Sequence, residues 1–187
     1  KTSSGYSLTN LIRGPEGTLA IITELTLKLI PAPKATVSLM APFEDLNACI
    51  STVPKVFMAH LKPQALEFFE KEILLSSEEY LGKQVFPRKI DGVEAGAYLL
   101  MTFDGDSMDE LDPLVERAAE MLVEEGALDV LVADTAPKLK DTWAARSSFL
   151  EGIEEQTTLL DECDVVVPVN KIAEYVVFVA QESGRYD

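Results

Sequence analysis

The chain has 187 residues, of which 47% are apolar and 26% are charged, and this composition allows one globular domain, or one domain and a piece of another. Its formal net charge of −16 argues against binding to nucleic acid or to an anionic membrane surface, because both need clustered cations. No stretch of the sequence approaches the ~20 apolar residues of a membrane span.

Few residues of the chain offer general catalytic or metal-binding chemistry. The two cysteines, Cys49 and Cys163, show no CxxC spacing, which favours a reducing compartment over a disulfide scaffold. With no signal peptide, we expect a cytoplasmic protein, and attachment to the periphery of the inner membrane stays open. The single histidine, His60, has no partner motif, so we predict no metal site and no catalytic residue.

The N-terminal stretch combines a glycine-bearing loop with a long apolar run. In RGPEG two glycines flank Pro-Glu, so the backbone can turn tightly and offer N–H groups to a phosphate or a ring edge. Residues 18–30, TLAIITELTLKLI, are rich in β-favouring residues with alternating leucines and predict a strand. PAPK at residues 31–34 then predicts a linker.

The rest of the chain predicts strands that alternate with helices. Strands are predicted in ATVSLMAPF, AYLLMTFDGD, LDVLVA and DVVVPV, and a short strand leading into a helix in KPQALEFFEKEILL. Helices are predicted in EDLNACISTVPKVFMAHL, SMDELDPLVERAAEMLVEEGA, APKLKDTWAARSSFLEGI and NKIAEYVVFVAQESG. The first is interrupted or kinked at Pro54, and the second ends at Gly126. The last is capped by Asn170. Residues 76–96 predict a helix that ends in a polar loop.

This order fits either a doubly wound parallel sheet or split β-α-β units of the ferredoxin-like kind. A parallel sheet favours near-continuous apolar strands and short connections. The polar stretch 76–96 and the alternation in VSLMAPF therefore favour the second fold. We predict an α+β protein with a ferredoxin-like antiparallel sheet and helices packed on one face.

The segment DTWAARSS carries the most specific side-chain pattern. Trp143 and Arg146 lie one helical turn apart and share a face. An arginine fork can hold a carboxylate through two parallel hydrogen bonds. A surface arginine that covers the tryptophan is the more common arrangement, so the spacing alone leaves both roles open.

Residues 5–33 read GYSLTNLIRGPEGTLAIITELTLKLIPAP. This segment resembles the pattern G-Y-[DN]-L-x-x-L-x-x-G-S-E-G-T-L-G-[IV]-[IV]-T, which closes the FAD-binding domain of FAD-linked oxidases of the vanillyl-alcohol oxidase superfamily. Downstream, PQALEFFEK, YLLMTFDGDS, KDTWAARSSFLEGI and DVVVPVNKIAEYV resemble the substrate-side domain of the glycolate oxidase, D-lactate dehydrogenase and D-2-hydroxyglutarate dehydrogenase branch. The resemblance implies that residues 1–33 end an FAD-binding domain and that residues 34–187 are a truncated C-terminal substrate, or cap, domain.

The resemblance also implies a function. Members of this branch oxidise 2-hydroxy acids by hydride transfer to FAD. The resemblance leaves open whether an electron-transfer partner subunit takes part. Arg146 falls on the arginine of the W-x-x-R motif, which pairs with the substrate carboxylate. The residues that fall on the family's FAD contacts are Glu16, Gly17, Thr18, Leu19, Ala20, Ile21 and Ile22.

Several departures from the family pattern accompany the match. Pro15 replaces the usual serine and has no N–H, Ala20 replaces a glycine, and Glu162 stands where some members carry lysine. The chain also lacks the G-H-x-G-D-G-N-x-H motif of the branch and the nucleotide-binding part of the FAD domain. We therefore expect the 187 residues alone to be inactive and not to hold FAD. The alternative is a non-catalytic ferredoxin-like module for ligand binding or assembly.

Overall fold

The computed structural model describes residues 4–185, and the chain divides into two compact units between Ala32 and Pro33. The N-terminal unit contains one short helix, α1 (Leu8–Leu11), whose first turn is capped by the Ser7 hydroxyl. The strand predicted at residues 18–30 was wrong, since these residues form no regular element and Ile21 and Leu29 are exposed. A strand needs a neighbour for its backbone groups, and none of the described segments pairs with this one.

The second unit contains the strands and the remaining helices. The strands are β1 (Ala35–Phe43), β2 (Ala65–Glu70), β3 (Lys89–Ile90), β4 (Val93–Glu94), β5 (Ala97–Gly105) and β6 (Leu131–Ala133). The helices are α2 (Leu46–Met58), α3 (Lys71–Leu81), α4 (Met108–Glu124), α5 (Ala136–Ser147), α6 (Phe149–Glu154) and α7 (Ile172–Ser183), with a 3-10 turn at Val169–Lys171 before α7.

Four strands form an antiparallel sheet in the order β2-β5-β1-β6. This is the order that two split β-α-β units produce, β1-α2-β2 and β5-α4-β6, so the α+β class and the antiparallel sheet are confirmed. The polar region between α3 and β5 was predicted as a loop and instead contains a small β3–β4 hairpin. Asp91 and Gly92 connect its strands with positive φ angles of 48° and 89°, as a tight hairpin turn requires.

Helices cover both faces of the sheet, so the expectation of helices on one face was wrong. Helices α2 and α4 pack on one face, over a cluster that includes Leu39, Phe43 and Leu99. Helices α3, α5 and α6 are associated with the other face, whose cluster includes Tyr98 and Leu100. The physical reason is that β1 and β5 are apolar at successive positions, and such strands need both faces covered.

The ends of the helices follow local chemistry only in part. The Asp45 carboxylate accepts a hydrogen bond from the Ala48 amide at 2.9 Å and caps α2, which tolerates Pro54 inside it. The single helix predicted from residue 136 to 153 is broken at Ser148 into α5 and α6. The DVVVPV segment forms no strand, and the predicted cap at Asn170 was wrong because Lys171 precedes α7 without a side-chain cap.

Candidate functional site

Arg146, the predicted carboxylate-binding residue, is anchored by a carboxylate of the sheet. It lies in the last turn of α5, and its side chain is 40% exposed. Its Nε and Nη2 atoms lie 3.0 Å and 2.9 Å from the same atom, Oε2 of Glu67 on β2. Nε donates a hydrogen bond to this oxygen, and Nη2 forms an ion-pair contact with it.

Strand alternation explains why Glu67 meets α5. Side chains two residues apart lie on the same face of a strand, so Glu67 shares the face of Phe69, which belongs to the cluster beneath α3, α5 and α6. The Phe149 ring also contacts the arginine, with its centroid 5.9 Å from Cζ of Arg146, within the range of a cation–π contact. Trp143, one turn earlier, packs against the same apolar cluster.

The guanidinium is thus fixed and keeps one edge open. Among residues 4–185, Nη1 of Arg146 has no hydrogen-bond partner. The Nη1–Nη2 edge has the spacing that suits a second carboxylate. Sequence reasoning missed Glu67, which is 79 positions from Arg146; the signal that could have found it is a charged residue inside the otherwise apolar strand ALEFF.

The glycine-bearing loop forms a tight turn within the N-terminal unit. The Thr18 amide and hydroxyl both donate to the Pro15 carbonyl, at 2.9 Å and 2.6 Å. The two central residues, Glu16 and Gly17, have positive φ angles of 49° and 77°, as in a type I′ turn. Pro15 therefore acts as the acceptor of the turn, a role that does not need the N–H it lacks.

The turn borders an open concavity of 470 Å³. The residues that line it are Ile12, Gly14, Pro15, Glu16, Gly17, Ala20, Ile21 and Ile22. Five of the seven predicted FAD contacts are in this set, whereas Thr18 and Leu19 are not. In the described part of the chain the Glu16 and Gly17 amides have no hydrogen-bond acceptor, and both residues line the concavity together with apolar residues. The turn belongs to the N-terminal unit and Arg146 to the second unit.

The two cysteines and the single histidine are further reactive groups of the chain. Burial raises the pKa of the Cys49 thiol to about 12, so it stays neutral, and Cys163 is exposed. His60 is exposed at the end of α2. Within residues 4–185, no group of three or more histidine, cysteine, aspartate or glutamate side chains could hold a metal ion, and no helix has the length and apolarity to cross a membrane.

Fold and site together define a protein whose split β-α-β plait carries an arginine held by a carboxylate of the sheet. The family described as FAD linked oxidases, C-terminal domain, matches residues 32–187, and the chain belongs to this family. The resemblance that the sequence indicated is therefore confirmed.

The chain is similar over most of its length to proteins named D-lactate dehydrogenase and glycolate oxidase subunit GlcD. It is 61% identical over all 187 residues to a D-lactate dehydrogenase of Anaerostipes hadrus, of which it covers 39%. It is 37% identical over 175 residues, 94% of the chain, to a D-lactate dehydrogenase of Archaeoglobus fulgidus, of which it covers 36%. It is 32% identical over 189 residues, 100% of the chain, to the glycolate oxidase subunit GlcD of Bacillus subtilis, of which it covers 38%.

The fold also matches a solved structure. An alkyldihydroxyacetonephosphate synthase superimposes with a TM-score of 0.63 and 20% sequence identity, over 99% of this chain and 38% of that one. At this identity the likeness concerns the fold alone. The chain spans 39% or less of the length of all these relatives, and the assignment of residues 1–33 to an FAD-binding domain stays a prediction.

Proposed function

We propose that this chain is the substrate-side part of an FAD-dependent dehydrogenase that oxidises a 2-hydroxy acid, and that the acid is D-lactate. The observation that carries this proposal is the 61% identity, over the entire chain, to a protein named D-lactate dehydrogenase. A second relative with that name, from an archaeon, supports the choice of D-lactate over glycolate.

Arg146 is the residue that we propose to bind the carboxylate of the acid. Its open Nη1–Nη2 edge can take a carboxylate with two parallel hydrogen bonds, while Glu67 and Phe149 restrict its movement. A carboxylate fixed in this way limits where the adjacent C2 carbon of the acid can lie. Arg146 therefore orients the carbon that loses its hydride, and it takes no proton itself.

The N-terminal turn is the part that we propose to touch the cofactor. Its two free amides suit the oxygens of a phosphate or of a flavin ring edge, and Ala20, Ile21 and Ile22 offer an apolar wall beside them. When bound, FAD supplies the acceptor for the hydride from C2 of the acid. The word subunit in the name of the GlcD relative supports a further proposal, that an electron-accepting protein partners the enzyme.

The test uses the full-length flavoprotein that contains this chain. D-lactate added without oxygen should bleach the flavin absorbance, and L-lactate, glycolate and D-2-hydroxyglutarate should do so more slowly. Arg146→Ala should raise KM for D-lactate and lower kcat while the flavin content stays unchanged. The loss of a charged hydrogen bond of this type corresponds to ~1.5–3 kcal/mol.

Lys138→Ala is the matched control, because Lys138 is a cation on the same helix whose partner, Asp134, is at the surface. This variant should keep the KM of the parent enzyme. A parent protein without flavin would refute the enzyme proposal and favour the non-catalytic module. Faster bleaching of the flavin by another acid would refute D-lactate as the substrate.

A further inference from the structure

We infer that Glu67 is a positioning residue for substrate binding, which acts by holding the Arg146 guanidinium in the orientation that leaves its Nη1–Nη2 edge open. The inference rests on the proposed role of Arg146. It adds a residue from the edge strand β2 to a site that would otherwise depend on α5 alone.

The geometry of the pair supports this role. A planar guanidinium has two edges that can each bind a carboxylate with two hydrogen bonds, the Nε–Nη2 edge and the Nη1–Nη2 edge. Glu67 occupies the first through one oxygen, at 3.0 Å and 2.9 Å, so it does not occupy the second. A side chain with several rotatable bonds would otherwise sample many orientations, and fixing it beforehand removes that cost from substrate binding.

Because Glu67 pairs with Arg146, the orientation of the guanidinium matters more for substrate binding than its charge. Glu67 and Arg146 together carry no net charge, so long-range attraction of an anionic substrate by Arg146 is largely cancelled. Binding then depends on short, directed hydrogen bonds from the open edge. The chain has 32 acidic and 16 basic residues, and its overall field also repels an anion.

The test compares variants of Glu67 in the full-length flavoprotein. Glu67→Ala removes the Nε hydrogen bond and the Nη2 ion-pair contact and should raise KM for D-lactate about tenfold, the size expected when one ordering interaction is lost. Flavin content and the rate of flavin reduction at saturating D-lactate should change much less. Glu67→Gln should recover most of the loss, because the amide oxygen of glutamine can still accept the Nε hydrogen bond that Oε2 accepts now.

A double-variant cycle separates positioning from a merely structural role. If Glu67 acts through Arg146, adding Glu67→Ala to Arg146→Ala should leave KM where Arg146→Ala alone puts it. Asp141→Ala is the matched control, since Asp141 anchors the same helix to Lys83. That variant should lower the melting temperature as much as Glu67→Ala does, without raising KM.

The KM values of the two single variants distinguish a failure of this inference from a failure of the proposed role of Arg146. A raised KM in Arg146→Ala with an unchanged KM in Glu67→Ala would overturn this inference and leave the proposed function intact. An unchanged KM in Arg146→Ala would overturn the proposed role of Arg146 itself. Should Glu67→Ala fail to fold, Glu67→Leu keeps the bulk of the side chain and removes the same hydrogen bond and ion-pair contact. The KM of Glu67→Leu then tests the inference in the same way.

Discussion

Ser38 of β1 and Thr102 of β5 lie directly opposite each other in the sheet, and their hydroxyl oxygens are 2.7 Å apart. Both residues are buried, on the face of the sheet that α3, α5 and α6 cover. One of the two hydroxyls therefore donates a hydrogen bond to the other inside an apolar layer. A buried pair of this kind couples the two central strands.

This pair predicts a non-additive effect on stability. Ser38→Ala leaves the Thr102 hydroxyl buried without that partner and should lower the free energy of unfolding by about 1–2 kcal/mol. Thr102→Val should do the same to Ser38, whereas the double variant should be less destabilised than the sum of the two. Urea unfolding of the four proteins measures this coupling, and strictly additive losses would contradict it.

Gly152 predicts a close packing requirement between α6 and α3. A Cβ atom at Gly152 would lie 2.7 Å from the Ser76 carbonyl carbon and oxygen and 2.8 Å from the Ser77 nitrogen. Because these are backbone atoms, they cannot move aside by changing rotamer. Gly152→Ala should therefore cost about 1–3 kcal/mol in the free energy of unfolding, measured in urea.

The control for this substitution is Gly184→Ala, since a Cβ atom at Gly184 would lie 3.7 Å from the Ala180 oxygen, which is ordinary contact. That variant should stay within about 0.5 kcal/mol of the parent. Equal losses in the two variants would mean that the α3–α6 approach does not limit the side chain at Gly152.

The Glu78 carboxylate holds the loop after α3 through hydrogen bonds to its backbone. Its Oε1 accepts the amides of Val85 and Phe86 at 2.7 Å and 2.8 Å, and its Oε2 lies 3.3 Å from Nη2 of Arg88. The side chain is 1% exposed. Glu78→Ala should cost about 3 kcal/mol or more, since it leaves a buried amide without an acceptor, and it should speed hydrogen exchange at Phe86.

The neighbouring Glu79→Ala serves as the control for Glu78, because its carboxylate pairs with Gln156 at the surface. This change should cost less than about 1 kcal/mol. If the Phe86 amide kept its protection in Glu78→Ala, the carboxylate would not be what orders the loop.

Local sequence patterns predicted most of the second unit. Residues 35–43 carry an apolar, β-branched pattern, and β1 occupies that range. The apolar spacing of SMDELDPLVERAAEMLVEEGA predicted a helix, and α4 lies within that segment. These elements could be predicted because each depends on residues that are close in sequence.

The failures concern contacts that depend on distant segments. Residues 18–30 have strand propensity, yet propensity supplies no neighbouring strand, and these residues stay irregular. At the candidate site, the helical spacing of Trp143 and Arg146 was predicted, but Glu67 was not, because strand β2 and helix α5 meet only in the folded chain. The covering of both sheet faces was missed for the same reason.

Tyr98 predicts a loss of stability in alkaline solution. Burial, and then the negative charge of Glu78, raise the pKa of its phenol from the ordinary value of 10.0 to about 12, although Arg88 lowers it. The unfolded chain loses this proton at lower pH than the folded chain, so the contribution is fully present below pH 10.0 and is lost as the pH rises toward about 12. Urea unfolding at several alkaline pH values measures this loss.

Tyr98→Phe tests the origin of that loss. Phenylalanine has no proton to release, so the decline in stability between pH 10.0 and about 12 should be shallower than in the parent. At neutral pH the variant should be slightly less stable, because the Tyr98 hydroxyl no longer donates to the Pro87 carbonyl at 3.0 Å. The buried Cys49 thiol titrates in the same range in both proteins, so it cancels in the comparison. Identical alkaline slopes in the parent and in Tyr98→Phe would show that the phenol is not the group responsible.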